Sequence, residues 1–341
     1  MLGRIGVVAP QSPTRETGGA ERFFHGLVDA LRREGHSAEL VPVLVDESTF
    51  ETIEESYLRA YDLDVARFDT VISTKAPTYA VQHPRHVCYL VHTMRVFYDM
   101  FEDAFPLATH EQRRQRRMVL DLDSACLDPA RVRKTFAIGH EVRERLQRFN
   151  AREAEVLHPA LGLDSFSPGP YGDYLFLPGR LHRWKRVDLV IEAFRHVRTS
   201  LRLLVAGTGE DEAHLRKSAN GDPRIVFLGR VEDEELRSHY MNCLAVPFVP
   251  LREDYGYVTL EAFASAKPVI TCVDSGEPTH FVRDGETGFV CPADPKLLAA
   301  RFDALFEDRA LAARMGEAGR RRTEGVQWTH VVATLAGAMS A

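Results

Sequence analysis

The 341-residue sequence lacks paired cysteines. Cys88, Cys126, Cys243, Cys272 and Cys291 are odd in number and widely spaced, with no C-x-x-C. That argues against a disulfide framework or a structural zinc site and fits a reducing cytosol. The fourteen histidines form no H-E-x-x-H pattern, so no metal site is inferred. No uncharged apolar run approaches the roughly 20 residues that span a bilayer. The opening MLGRIGVVAPQSPTRE holds only a short apolar patch. It reads as a first strand, because a signal peptide needs a longer apolar core and a small-residue cleavage site. Basic residues are not in excess, at 43 against 49 acidic and a formal charge of −6. A general nucleic-acid binder is therefore not expected. With 45% apolar and 27% charged residues, the chain is far from the disordered class.

What is present is an alternation of short apolar strands and amphipathic helices. Strands are expected at 4–10, 38–45, 69–75, 86–92, 134–139 and 155–160, all buried. A helix is expected from about Ala20 to Arg33, with Phe23, Leu27, Ala30 and Leu31 on one face and Gly35 as its stop. Strands separated by helices imply parallel pairing with right-handed crossovers. The segment 158–173 holds Pro159, Pro168, Pro170, Gly162, Gly169 and Gly172 and reads as a linker. After it the alternation restarts. Strands are expected at 174–179, 201–207, 224–229, 243–249, 267–272 and 288–292. Helices are expected at 187–198, 211–218, 233–241, 256–266, 295–307 and 309–323, with a last one from Trp328. The length suits two domains. Two open α/β sheets facing each other would leave a cleft at the carboxyl ends of their strands, where ligands bind in this architecture.

Two strings carry chemistry. In GRLHRWKRVDLVIEAF (179–194), Arg180 and Lys185 lie five apart in a turn entering a helix. Backbone N–H groups, the helix dipole and two cations there suit a phosphate; a solvated basic loop is the plainer alternative. In REDYGYVTLEAFASAKPVIT (252–271), Glu253 and Glu261 lie eight apart. Gly256 between them permits close backbone approach to an anion, and the two carboxylates can accept hydrogen bonds from sugar hydroxyls.

Taken in order, a Gly-Gly loop, G-R-L-x-x-x-K, L-x-V-A-G-x-G, F-L-G-R-V, E-x-(aromatic)-G-x-x-x-L-E-A, K-P-V-I and D-G-x-T-G-F resemble glycosyltransferase family 4 over nearly the whole chain, most specifically in the C-terminal half. The resemblance implies an α/β GT-B fold of two Rossmann-like, doubly wound domains facing across a cleft. The N-terminal acceptor-side domain would be 1–165 and the C-terminal donor-binding domain 166–327, with the helix 328–341 packing back onto the first. It also implies transfer of a hexose from a nucleotide-diphospho-sugar, with retention of configuration, by a front-face mechanism needing no metal and no other cofactor.

By the same resemblance, Arg180 and Lys185 bind the donor diphosphate. Glu253 contacts the sugar hydroxyls, and Tyr255, Gly256, Tyr257 and Val258 bring backbone to the sugar and phosphates. Glu261 holds the ribose, and Arg230 and Val231 fall where the base lies. Gly18 and Gly19 match a loop near the diphosphate, and His92 matches a histidine beside the sugar. The catalytic set is then Glu253, His92, Arg180 and Lys185. The cluster His92, Arg95, Tyr98 and Asp99, with E-D-aromatic-G at Glu253–Gly256, resembles members that often transfer mannose in bacterial glycan assembly. Two departures stand out. Met94 replaces a common proline, and Ser275-Gly276-Glu277-Pro278 replaces a glycine-richer loop.

The expected partners are a GDP- or UDP-sugar and a glycan, lipid-linked or natural-product acceptor. A basic run at Arg113, Arg114, Arg116 and Arg117 reads first as a solvated helix face and second as a contact for anionic lipid. Asp62/Asp64 and Asp121/Asp123 form D-x-D pairs, read as surface features. Gly207-Thr208-Gly209 hints at a dinucleotide fingerprint, but Glu212 stands at the third glycine position. A nicotinamide-dependent dehydrogenase is therefore disfavoured. A sugar-nucleotide or glycan binder without turnover remains open.

Overall fold

The computed structural model describes residues 3–12, 19–160, 162 and 165–340. It divides into two compact units, Met1–Leu161 with Gln327–Ala341, and Gly162–Val326.

The first unit is a parallel sheet of β1 (Arg4–Gln11), β2 (Ser37–Leu44), β3 (Thr70–Lys75), β4 (His86–His92), β5 (Lys134–Ala137) and β6 (Glu155–Val156), in the order β2-β1-β3-β4-β5-β6. Its helices are α1 (Gly19–Arg33), α2 (Phe50–Tyr61), α3 (Phe101–Ala104), α4 (His110–Cys126) and α5 (His140–Asn150). The expected face of α1 is the buried one: Phe23, Leu27, Ala30 and Leu31 are all in the core, and Gly35 turns the chain at φ +84°. Thr49 and Thr109 start α2 and α4 with reciprocal capping boxes, each satisfying backbone N–H groups that the helix cannot. The final helix α13 (Trp328–Ser340) completes this unit. Trp328 lies on Phe23, 6.1 Å between rings, and Arg85 donates to the Met339 carbonyl at 2.9 Å.

Two expectations fail here. The strand at 155–160 shrinks to the two-residue β6 at the sheet edge, with Glu155 exposed. β3 and β4 pair in parallel with only a 3₁₀ turn at Thr78–Ala80 between them.

The second unit contains β7 (Tyr174–Pro178), α6 (Val187–Phe194), β8 (Arg202–Ala206), α7 (Glu212–Ser218), β9 (Ile225–Gly229), α8 (Asp233–Asn242), β10 (Val246–Pro247), α9 (Tyr257–Ala264), β11 (Val269–Cys272), α10 (Pro278–Phe281), β12 (Gly288–Cys291), α11 (Pro295–Glu307) and α12 (Arg309–Thr323). The ladders β7-β8-β9 and β10-β11-β12 join through a parallel bridge, Leu175 with Ala245. Phe176 N donates to Ala245 O at 3.1 Å and Leu244 N to Tyr174 O at 2.8 Å. The resulting order β9-β8-β7-β10-β11-β12 is the doubly wound order, reversing between β7 and β10. One apolar cluster runs through it, from Leu175 and Leu203 in the sheet to Phe194, Phe302 and Met315 on the helices. The end of the expected linker is part of this unit. Buried Lys267 donates to the carbonyls of Gly169 (3.0 Å) and Pro170 (2.7 Å), and its ammonium sits 4.0 Å from the Tyr171 ring centroid. Burial pulls that ammonium down to about 8.

All five cysteines are free and buried. Burial raises every thiol, to about 12 at Cys88, Cys243 and Cys272 and about 11 at Cys126, with Cys291 also raised.

The D-x-D reading is half right. Asp62, Asp64 and Asp121 are exposed, but Asp123 is fully buried. It faces inward from α4 and accepts hydrogen bonds from the Tyr57 and Tyr98 hydroxyls. Alternation on a helix puts residues two apart on different faces, so D-x-D on α4 cannot be a single surface feature. Burial raises this carboxyl to about 6, opposed by the hydrogen bonds of Tyr57 and Tyr98. Because the folded value lies above the unfolded one, this group's stabilising contribution is complete below about pH 4 and disappears as pH rises through 6. Asp123→Asn should therefore gain on the wild type between pH 4 and pH 8, by up to about 3 kcal/mol. Urea denaturation of both proteins at the two pH values measures this; a constant difference contradicts it.

Candidate active site

Open α/β sheets bind ligands beyond the carboxyl ends of their strands where the order reverses. In the second unit that point lies between β7 and β10. The loop after β7 carries Arg180 and Lys185, and the loop after β10 carries Glu253.

These loops are fastened by Arg186, which stands in the left-handed region at φ +50°. Its guanidinium donates to the carbonyls of Val249 (2.7 Å) and Pro250 (2.9 Å) and bidentately to Asp274 (2.8 and 2.7 Å). One side chain thus ties the segments after β7, β10 and β11. The loop after β8 is locked to the loop after β7 through backbone. Gly179 N donates to Ala206 O (2.9 Å), Leu181 N to Thr208 O (2.9 Å) and Asp211 N to Leu181 O (3.1 Å). A Cβ at Gly207 would lie 1.9 Å from the Gly179 carbonyl oxygen, and one at Gly209 2.2 Å from that of Leu181. The G-T-G string therefore serves loop-to-loop contact, which accounts for its likeness to a dinucleotide fingerprint.

On this frame Lys185 Nζ donates to Glu253 Oε2 at 2.6 Å, with the side chains 30% and 18% exposed. Arg180 is 61% exposed, and its Nε lies 3.6 Å from Glu210 Oε2. His182 Nε2 lies 3.3 Å from Glu210 Oε1. Four of the expected residues thus lie on the loops after β7 and β10: Arg180, Lys185, Glu253 and Gly256. Gly256 precedes α9 at φ +80°, and a Cβ there would meet the Phe248 ring at 2.7 Å.

Tyr255 is buried against Phe281 (5.4 Å between centroids) and Tyr257 (5.0 Å), so its side chain is a packing group. Val258 is half-buried on the first turn of α9. Glu261 is buried at 3% exposure and accepts from Tyr240 Oη at 2.7 Å. Arg230 is exposed and Val231 half-buried just beyond β9. The departure at Ser275–Pro278 is explained by backbone. Gly276, at φ +75°, bridges Glu253, and a Cβ would stand 2.6 Å from the Glu253 amide nitrogen and carbonyl oxygen. Glu277 has ordinary right-handed backbone, so a second glycine is not required there.

In the first unit His92 ends β4, half-buried, in register with Lys75. Lys75 Nζ donates to Glu47 Oε1 at 3.0 Å. Lys75 and His92 outweigh burial to hold the Glu47 carboxyl below its usual range. Gly19 is the exposed first residue of α1, and Gly18 lies outside the described residues. Within the expected cluster around His92, buried Arg95 and Asp99 pair at 4.0 Å. Asp99 also pairs with buried Arg145 at 2.9 Å, while Tyr98 turns to Asp123. The arginine run is not a uniform solvated face either. Arg116 donates to the carbonyls of Phe97 (3.0 Å) and Tyr98 (3.1 Å) and lies 4.4 Å from the Phe101 ring centroid. Arg114 pairs bidentately with Glu111.

Sequence reasoning passed over Arg186, His182, Glu210 and Tyr240. The basic string containing Lys185 was visible, but which of its members reach carbonyls of distant strands was not.

Residues 170–322 match the model of the family described as Glycosyl transferases group 1. The matched segment is under half of the chain and is similar to that family. Alpha-1,3/1,6-mannosyltransferase ALG2 of Homo sapiens is 29% identical over 213 residues, 53% of this chain and 51% of the relative. The chain thus spans about half the length of the curated relatives it matches. Among solved structures, sucrose-phosphate synthase of Thermosynechococcus elongatus superposes with a TM-score of 0.77 at 17% identity, covering 98% of both chains. HepE of Anabaena, solved with UDP and glucose, gives 0.73 at 14% identity over 99% of both. These establish the GT-B fold. Among the described residues no helix is long and apolar enough to cross a membrane.

The bridge between Gly276 and Glu253 gives a direct test. Gly276→Ala combines left-handed backbone with a contact to Glu253 backbone, and should destabilise the second unit by about 2 kcal/mol. A thermal melt within 1 °C of wild type would contradict the geometry.

Proposed function

We propose that the chain is a retaining glycosyltransferase. It moves a hexose from a nucleotide-diphospho-sugar to a glycan, lipid-linked or small-molecule acceptor. The observation that carries this reading is the pairing of Lys185 with Glu253 at 2.6 Å at the point where the sheet order reverses, with Arg180 on the same β7 loop. A diphosphate needs cations, a sugar needs a hydroxyl acceptor, and here both kinds of group share one loop cluster. Similarity to mannosyltransferases and to a fold solved with UDP-glucose supports a sugar nucleotide, with GDP or UDP as the nucleotide.

The chemistry follows from charge. Cleaving the sugar–phosphate bond leaves negative charge on the diphosphate and positive character on the anomeric carbon. Arg180, Lys185 and the backbone N–H groups that follow Gly256 stabilise the leaving group. The acceptor oxygen attacks from the face the diphosphate departs from. Its proton passes to a phosphate oxygen, so no protein nucleophile is needed. Glu253 orients the sugar hydroxyls. Glu261, held by Tyr240, accepts from the ribose. His92 ends β4 in the first unit, in register with Lys75 of the Lys75–Glu47 pair. The two cations do the electrostatic work of a metal, so no divalent ion is required.

Arg180→Ala should lower turnover about a hundredfold or more, as loss of one preorganised donor does. Radiolabelled sugar transfer from GDP- and UDP-sugars measures it, and EDTA should leave the wild-type rate unchanged. Stabilisation by a sugar nucleotide without any transfer would favour the binding-protein reading. Restoration by Mn²⁺ of an EDTA-abolished rate would overturn the metal-independent mechanism.

A further inference from the structure

We propose that His182 and Glu210 are working parts of the same anion seat. His182 is a third donor to the diphosphate, and Glu210 is the carboxylate that occupies the seat until a diphosphate displaces it. The inference rests on the reading of this site as one for a sugar nucleotide, and it adds two residues to which that reading gives no role.

His182 is fixed from behind. Its Nδ1 accepts the Trp184 backbone N–H at 3.1 Å, capping the 3₁₀ turn Arg183–Lys185. An imidazole nitrogen that accepts carries no proton, so the neutral ring must carry it on Nε2. That Nε2 lies 3.3 Å from Glu210 Oε1, on the same carboxylate that neutralises Arg180. The sequence therefore supplies a donor of set direction beside a cation.

Glu210 is held in place by backbone. The interlock of Gly179, Leu181, Thr208 and Asp211, with no room for side chains at Gly207 and Gly209, fixes the β8 loop against the β7 loop. The glutamate then reaches Arg180 and His182 with half its side chain in water. An ion pair that exposed is weak, so a dianionic phosphate with several acceptor oxygens can replace it. Glu210 thus mimics one phosphate charge and lowers the seat's affinity for small anions. The charged groups around the ring are Glu210 and Asp211 on the β8 loop and Arg180 and Arg183 on its own loop. Burial, the largest effect, and the two arginines favour the neutral ring; the two carboxylates oppose them. A second proton would have to enter at Nδ1, which accepts the Trp184 N–H, so the ring stays neutral and donates to the diphosphate through Nε2.

The test is calorimetric titration of the full chain with inorganic pyrophosphate, UDP and GDP at pH 6 and pH 8. Glu210→Gln should bind pyrophosphate and the preferred nucleotide about fivefold more tightly. His182→Asn keeps an oxygen that can cap the Trp184 N–H and removes only the outward donor. It should weaken binding about tenfold at both pH values. The double variant should show less than the product of the two changes, because the residues touch. Unchanged affinities in both single variants, with nucleotide still bound, overturn the inference and leave the proposed function standing. Pyrophosphate responses as expected with no nucleotide bound would uphold the seat and defeat the function. No binding of any probe by any variant defeats both.

Discussion

The guanidinium of Arg186 is the constraint on which the candidate site depends. The carbonyls of Val249 and Pro250 and the Asp274 carboxylate come from segments far apart in sequence, and one planar fork of donors satisfies them together. The left-handed backbone at Arg186 costs energy for a residue with a Cβ, and these hydrogen bonds offset it. Lysine could not substitute, having a single point of charge. Lys185 immediately before it is aimed by the same turn, so the position of the Lys185–Glu253 pair is a consequence of Arg186's bonds.

The molecule uses two kinds of charge pairing. Arg145 with Asp99 is buried, and Asp303 accepts from the backbone N–H groups of Arg198 and Thr199 while itself buried. Breaking such contacts leaves an uncompensated charge in low dielectric. Lys267 belongs with them, capturing two carbonyls where the chain enters the second unit. The pairs at the strand ends differ. Arg180, Glu210, Lys185 and Glu253 keep contact with water, so exchanging a carboxylate for another anion costs little.

Much of the fold was legible in the sequence because burial imposes periodicity. Helices α11 and α12 fall on the expected residues, and β4 does too. Failures came where neighbours override local pattern. EVLHPA is apolar enough for a longer strand, yet β6 is an edge with a partner on one side only. The site was legible where backbone chemistry demands a residue type, as at Gly256. It was illegible where a side chain's partner lies across the fold. Nothing in D-L-D distinguishes exposed Asp121 from Asp123, whose meaning is set by tyrosines 66 and 25 residues away. The broken fingerprint drew attention to Glu212 and away from Glu210, whose surroundings depend on loops from two strands meeting.

The burial of every cysteine gives the chain an internal reporter. Thiolates react and thiols do not, so the native protein should resist alkylation at neutral pH. Cys88 and Cys126 lie in the first unit and Cys243, Cys272 and Cys291 in the second. Which peptides acquire label therefore tells which half has opened, without any introduced probe.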